Sequence, residues 1–177
     1  EQNSIVDNFS LGKEENLSEA KKKFNKLKVY KADATDFNTL RDIFEKESAD
    51  MVYNLAVVPL PASLEDPLGS TMENIEMVNN VCELLRGGLF KKLIHFSSSE
   101  AYGSAIKAPM DEEHPLKPET PYAASKAAGD LIVDSYVKTF KLPVSILRPF
   151  NNYGPRQNSN EFAGIIPIAI KSILNNK

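Results

Sequence analysis

Lys92-Leu93-Ile94-His95-Phe96-Ser97-Ser98-Ser99-Glu100-Ala101-Tyr102-Gly103 is the stretch on which the reading of this chain turns. Its apolar part is too short for an ordinary helix and reads as a buried strand. It ends in three serines, an acid and a Gly turn. Such a strand delivers hydroxyls at its C-terminal end, where open α/β sheets bind their ligands. Taken alone, a Ser-rich turn can follow any strand. Working outward, short apolar runs alternate with segments of helical period. Ser4–Asn8 is the tail of a strand, and residues 9–27 form a charged loop and helix on a solvated face. Leu27–Asp36 is a strand ending in acids, and Asp36–Glu47 a helix with Asp36 as its N-cap. Ala49–Val58 is the next strand. Pro59–Ser70 reads as a Pro-rich loop, and Met72–Arg86 as a helix ended by Gly87-Gly88. Residues 105–120 form a polar loop containing His114. Val144–Arg148 is a further strand, and a last helix starts after Gly164. This rhythm predicts an α/β protein with a doubly wound parallel sheet.

The second informative stretch is Pro121-Tyr122-Ala123-Ala124-Ser125-Lys126, which opens a helix running to Phe140. Tyr122 and Lys126 are four apart and share a helix face. A free phenol ionises near pH 10 and is a poor base at neutral pH. A neighbouring ammonium stabilises the phenolate, so the pair could take a proton from a substrate hydroxyl. Tyr-x-x-x-Lys by itself is a common surface pattern; its weight comes from the serine strand before it and the loop after it. That loop runs Arg148-Pro149-Phe150-Asn151-Asn152-Tyr153-Gly154-Pro155-Arg156.

Bulk properties narrow the class. The 177 residues are one domain's worth of chain, 42% hydrophobic and 25% charged, as in ordinary soluble domains. A net charge of -3 gives no basic footprint for nucleic acid or an anionic membrane. No apolar run approaches the ~20 residues that cross a bilayer, and the polar start shows no signal peptide. Cys82 is the single cysteine, which excludes an internal disulfide framework. With two histidines and no clustered ligands, no metal site is expected. A cytoplasmic location fits this composition.

The ordered set, a strand into Ser97-Ser98-Ser99-Glu100-x-Tyr102-Gly103, then Tyr122-x-x-x-Lys126, then Leu147-Arg148-Pro149-Phe150-Asn151-x-Tyr153-Gly154-Pro155-Arg156, resembles the extended short-chain dehydrogenase/reductases. More narrowly it resembles their NAD-dependent nucleotide-sugar epimerases and dehydratases. The resemblance runs from Ile5 to about Leu174. It implies a Rossmann-like domain over residues 1–157, with residues 158–177 starting the substrate-binding region. It implies NAD as cofactor, with Asp7 and Asn8 at the adenosine ribose, Asp33 and Ala34 at the adenine, and Leu55, Ala56, Val57 and Asn74 lining the cofactor. Ser97, Tyr122, Lys126 and Pro149 would face the nicotinamide half. Val57 departs from the small residue usual there. The implied catalytic residues are Tyr122, Lys126, Ser98, Ser99 and Glu100; the substrate contacts are Ser98, Asn151 and Arg156. The reaction would pass through a transient 4-keto sugar, in a UDP- or dTDP-sugar 4-epimerase or 4,6-dehydratase. Ser99-Glu100 stands where dehydratases usually carry Asp-Glu and decarboxylases Ser-Glu, so a decarboxylase stays open, as does an inactive binding module. The family also implies a homodimer through helix 122–140, whose Ala123, Ala124, Ala127, Ala128 and Gly129 give it a small-residue face.

The family's opening glycine loop, about thirty residues before the Asp7 position, has no counterpart among the eight glycines, and the family's C-terminal substrate lobe is not visible either. The expectation is therefore an internal fragment with an incomplete sheet and weakened or absent NAD binding.

Overall fold

A computed structural model describes residues 2–157 and 164–175. Five parallel strands form, but in two pieces. β1 (Ser4–Asp7) pairs with β2 (Lys28–Lys31), in register from Ser4 opposite Lys28 to Asp7 opposite Lys31. β4 (Lys92–Phe96) lies between β3 (Met51–Asn54) and β5 (Val144–Leu147). No ladder joins β1 to β3 among the described residues, so the expected doubly wound sheet is present in part. The parallel hydrogen-bond pattern continues past β4, where Ser97 N donates to Leu147 O at 2.8 Å and Ser99 N to Pro149 O at 3.0 Å.

The helices are α1 (Ser18–Lys23), α2 (Phe37–Glu47), α3 (Leu60–Glu65), α4 (Pro67–Arg86), α5 (Pro121–Phe140) and α6 (Ile165–Leu174). α1 buries nothing, as its run of lysines predicts. Asp36 caps α2 by accepting from Thr39 N at 3.1 Å. The Pro59–Ser70 stretch is not a loop. α3 occupies its first half, and α4 begins at Pro67, ahead of the expected Met72. The reason is local. Asp66 accepts from Gly69 N at 2.9 Å as N-cap, and Pro67 sits in the first turn, where its missing N–H costs nothing.

The core joins Leu40, Ile43 and Phe44 of α2 to Val78, Val81, Cys82, Leu84 and Leu85 of α4, Leu93 of β4 and Val133 of α5. Phe44 meets Phe90 edge-on, with ring centroids 5.5 Å apart. Fully burying a side chain such as Leu93 stabilises by roughly 1.5–3 kcal/mol. α4 and α5 pack on each other. Gly129 permits this: a Cβ there would lie 3.2 Å from Val78 Cγ2. Ala123, Ala127 and Gly129 are accordingly buried inside the protein, leaving Ala124 and Leu131 on the outer face of α5. The expected boundary at residue 158 lies outside the described residues, as do residues 159–163. The part of that region described is α6, whose Ile165, Ile173 and Leu174 are exposed.

Candidate active site

Every strand delivers polar groups at its C-terminal end. After β1, Asp7 Oδ1 accepts from Phe9 N at 2.7 Å, and Phe9 itself has a positive φ of 57°. Gly12 packs on the same carboxylate; a Cβ there would come within 2.9 Å of Asp7 Oδ2. Asn8 Nδ2 donates to Asp33 Oδ2 at 3.0 Å, so the ends of β1 and β2 meet. Asp33 also accepts from Thr35 N and Oγ1, and these bonds, with that from Asn8, hold its carboxyl below the usual range. Asn80 of α4 clamps the same turn, donating to Ala34 O at 3.0 Å and Thr35 O at 2.8 Å. Sequence reasoning missed Asn80, and no local pattern marks it.

After β3, Leu55, Ala56 and Val57 are exposed. The next residue, Val58, is held by Asn74, which accepts from Val58 N at 2.7 Å and donates to Val58 O at 3.1 Å. Asn74 also donates to Ser125 Oγ at 3.0 Å, and Ser125 donates to Tyr122 O at 2.7 Å. Asn74 is buried, with its amide fully engaged, so it fixes the loop and the first turn of α5 rather than facing outward.

After β4, Ser98 accepts from Glu100 N at 3.2 Å and caps a 3-10 turn over Ser99–Tyr102. Gly103 closes that turn at a φ of 68°, against the Lys117 carbonyl, and a Cβ there would collide with that oxygen at 1.9 Å. Only glycine fits. Thr120 caps α5 through Ala123 N at 3.0 Å and sets Tyr122 in the first turn beside Ser98. Burial raises the Tyr122 phenol, the neighbouring Ser98 hydroxyl pulls it back, and Glu100 pushes it up again. Lys126 is buried and donates to Phe96 O at 2.6 Å. Burial lowers its ammonium to about 8, against the opposing charge of Asp130. In this state Lys126 is not among the groups acting on the Tyr122 phenol. Ser97 Oγ is buried without a partner.

Ser99 is half-buried and Glu100 exposed beside Tyr122. Pro149 is bound through its carbonyl to Ser99 N. Asn151 is exposed, and Arg156 donates to Glu19 Oε2 at 3.1 Å, an exposed pair. These last two are not gathered with Ser98 and Tyr122. His114 is structural: its Nε2 accepts from Ile106 N at 3.0 Å, and its ring meets Tyr102 edge-on. Among the described residues, no group of three or more His, Cys, Asp or Glu could hold a metal ion.

A parallel fold with a Ser, a Tyr and a Lys converging at the strand ends defines the class, and comparison with known proteins makes it specific. The profile of the NAD dependent epimerase/dehydratase family matches residues 5–177, and the chain belongs to that family. It is 37% identical over 163 residues to a dTDP-D-glucose 4,6-dehydratase of Dictyostelium discoideum, covering 85% of this chain and 37% of the relative. It is 30% identical over 171 residues to a UDP-glucose 4-epimerase of Mycolicibacterium smegmatis, covering 96% of this chain and 54% of the relative. Among solved structures, a UDP-N-acetylglucosamine 4-epimerase from Methanobrevibacter ruminantium in complex with UDP-N-acetylmuramic acid superposes with a TM-score of 0.88 at 35% identity, over 98% of this chain and 55% of the other. The chain thus spans about half the length of its relatives, or less. No helix of the described residues is long and apolar enough to cross a membrane.

Proposed function

We propose that this chain is the cofactor-binding portion of an NAD-dependent nucleotide-sugar 4-epimerase or 4,6-dehydratase. The observation that carries the reading is the convergence of Ser98, Tyr122 and buried Lys126 at the end of β4. Three further features fit NAD. Asp7 and Asp33 present carboxylates at the ends of β1 and β2, suited to ribose hydroxyls and an adenine amino group. Ser97 Oγ is a buried hydroxyl with no protein partner. Lys126 holds only a backbone carbonyl, a bond it can exchange for a ribose hydroxyl.

Bound NAD would supply the hydride acceptor for C4 of the sugar. The rest falls to the chain. Tyr122 takes the proton of the 4-hydroxyl, Ser98 hydrogen-bonds the same oxygen as charge develops, and the Lys126 ammonium stabilises the phenolate form of Tyr122. Glu100, exposed beside Tyr122, serves as the base at C5 in a dehydratase. Asn151 and Arg156 remain candidates for the substrate's diphosphate. Because Ser99 replaces the acid that dehydratases usually carry there, a decarboxylase is the second reading.

The test is turnover by the whole protein, with NAD, on UDP-glucose, dTDP-glucose and UDP-glucuronate, resolving products by mass and by sugar configuration. An epimer or a dehydrated 4-keto-6-deoxy sugar supports the first reading and loss of carbon dioxide the second. No product from any of the three sinks both. The outer face of α5, with Leu131 exposed, supports assembly as a homodimer; a monomer in sedimentation would exclude it.

A further inference from the structure

Beneath the Tyr122–Lys126 pair lies a buried cluster to which the proposed chemistry assigns no part. Asp130 follows Lys126 by four residues on the same face of α5 and is 2% exposed. Its Oδ2 accepts from Arg148 Nε at 2.7 Å. Its Oδ1 is buried with no hydrogen-bond partner. Arg148, at the end of β5, reaches on to Tyr102 Oη at 3.0 Å and lies 5.0 Å from the centre of the Tyr102 ring. His95 of β4 stands beside Asp130, Nε2 to Oδ1 3.9 Å, and that Nε2 is likewise unpartnered. Its Nδ1 faces Asn54 Nδ2 at 3.4 Å.

The charges here are unevenly placed. Burial pushes His95 down to about 3, with Lys126 adding to the effect, so it is neutral. That leaves one buried carboxylate, Asp130, paired with Arg148 and one turn of α5 from the buried Lys126. Arg148 satisfies one carboxylate oxygen through a charge-assisted bond and fixes its direction. The other oxygen has no hydrogen-bond partner inside the fold, and its residue stands one turn of α5 from Lys126. Of the other titratable groups here, Tyr122 precedes Lys126 by one turn of α5, and Glu100 on the 3-10 turn acts on the Tyr122 phenol. Glu100 is exposed, and Asp130 favours the charged form of Lys126 against burial, beside the Phe96 carbonyl that accepts from it.

Resting on the reading of Tyr122 and Lys126 as the working pair, we propose that Asp130, pinned by Arg148, is a positioning residue that supplies the buried counter-charge of the Lys126 ammonium. The same pair ties α5 to the turn that carries Ser98 and Glu100, through Arg148 and Tyr102. A buried carboxylate held only for packing would be equally well served by its hydrogen bonds. A counter-charge must also set how readily Lys126 loses its proton.

The experiment is NMR titration of the whole protein carrying isotope-labelled lysine, with the Lys126 signal assigned by its loss in K126R. In D130N the Lys126 midpoint should fall by about one pH unit, the effect of removing one nearby opposite charge. In R148Q, where Asp130 keeps its charge and loses its competing cation, the midpoint should hold or rise. An unmoved midpoint in D130N overturns the proposal. So does an equal fall in both variants, which would report lost packing. Removing one partner of a buried pair can unfold a protein. Should D130N fail to fold, D130N/R148Q leaves no unpaired charge, and its midpoint must still fall. The readout does not use turnover. A midpoint that moves in a protein inert on nucleotide sugars would keep the counter-charge and discard the enzymatic reading; active protein with an unmoved midpoint would do the reverse.

Discussion

Ser98 has two jobs that can be separated. Its hydroxyl accepts from Glu100 N, shaping the turn, and its place beside Tyr122 holds the phenol lower than burial alone would. Replacing it with Ala removes the second contribution, so the phenol rises. A base that must be ionised then works only at higher pH. In S98A the acid limb of kcat/KM should move to higher pH, with a loss at neutral pH of roughly tenfold or more. A pH–rate profile of unchanged shape would mean that Ser98 does not act through Tyr122. The shared helix face of Tyr122 and Lys126 was legible in the sequence, because i, i+4 spacing fixes it. What the spacing could not give is where the ammonium points. It donates to Phe96 O, a partner from a different element that no local pattern names. Asp130 continues the same i, i+4 series and was equally legible, yet an acid on a helix passes as surface until burial is known.

At the scale of elements, Glu47 holds the β1–β2 pair to α2. Its carboxylate accepts from Lys28 Nζ at 2.7 Å, Tyr30 Oη at 2.6 Å, Ser4 Oγ at 2.5 Å and Gln2 Nε2 at 3.1 Å. Its side chain is 4% exposed. These bonds, that of Lys28 foremost, lower its carboxyl from 4.5 to about 2. A carboxylate depressed by folding stabilises fully above its unfolded pKa, and that stability is lost as pH falls through the folded one. The melting temperature of the wild type should therefore exceed that of E47Q above pH 4.5, and the gap should close as the pH approaches about 2. A gap constant across that range would assign Glu47 no electrostatic role. The strands themselves were readable from short apolar runs; α3 was not. Prolines at 59, 61 and 67 read as a loop, whereas two of them occupy first turns, where a helix tolerates proline.

Across the whole molecule, fold class and strand order of appearance were readable from the alternation of periods, because a half-buried helix and a buried strand impose different spacings. The division of the sheet was anticipated as a missing central member, but its bridging was not. α4 grips both pieces by side-chain hydrogen bonds: Asn80 holds the turn after β2, and Asn74 the loop after β3. The family resemblance had marked Asn74 as lining the cofactor, whereas nothing in the sequence marked Asn80. The candidate site has the same division. Asp7 and Asp33 stand on one piece, while Ser97, Tyr122 and Lys126 stand on the other. A dinucleotide long enough to touch all of them would tie the two groups of strand ends together. Amide hydrogen exchange should then slow at both groups when NAD is added to the whole protein, in β1 and β2 as much as in α5. Adenosine alone should quiet only the first. Protection confined to one group with NAD would mean that the ligand does not reach the other.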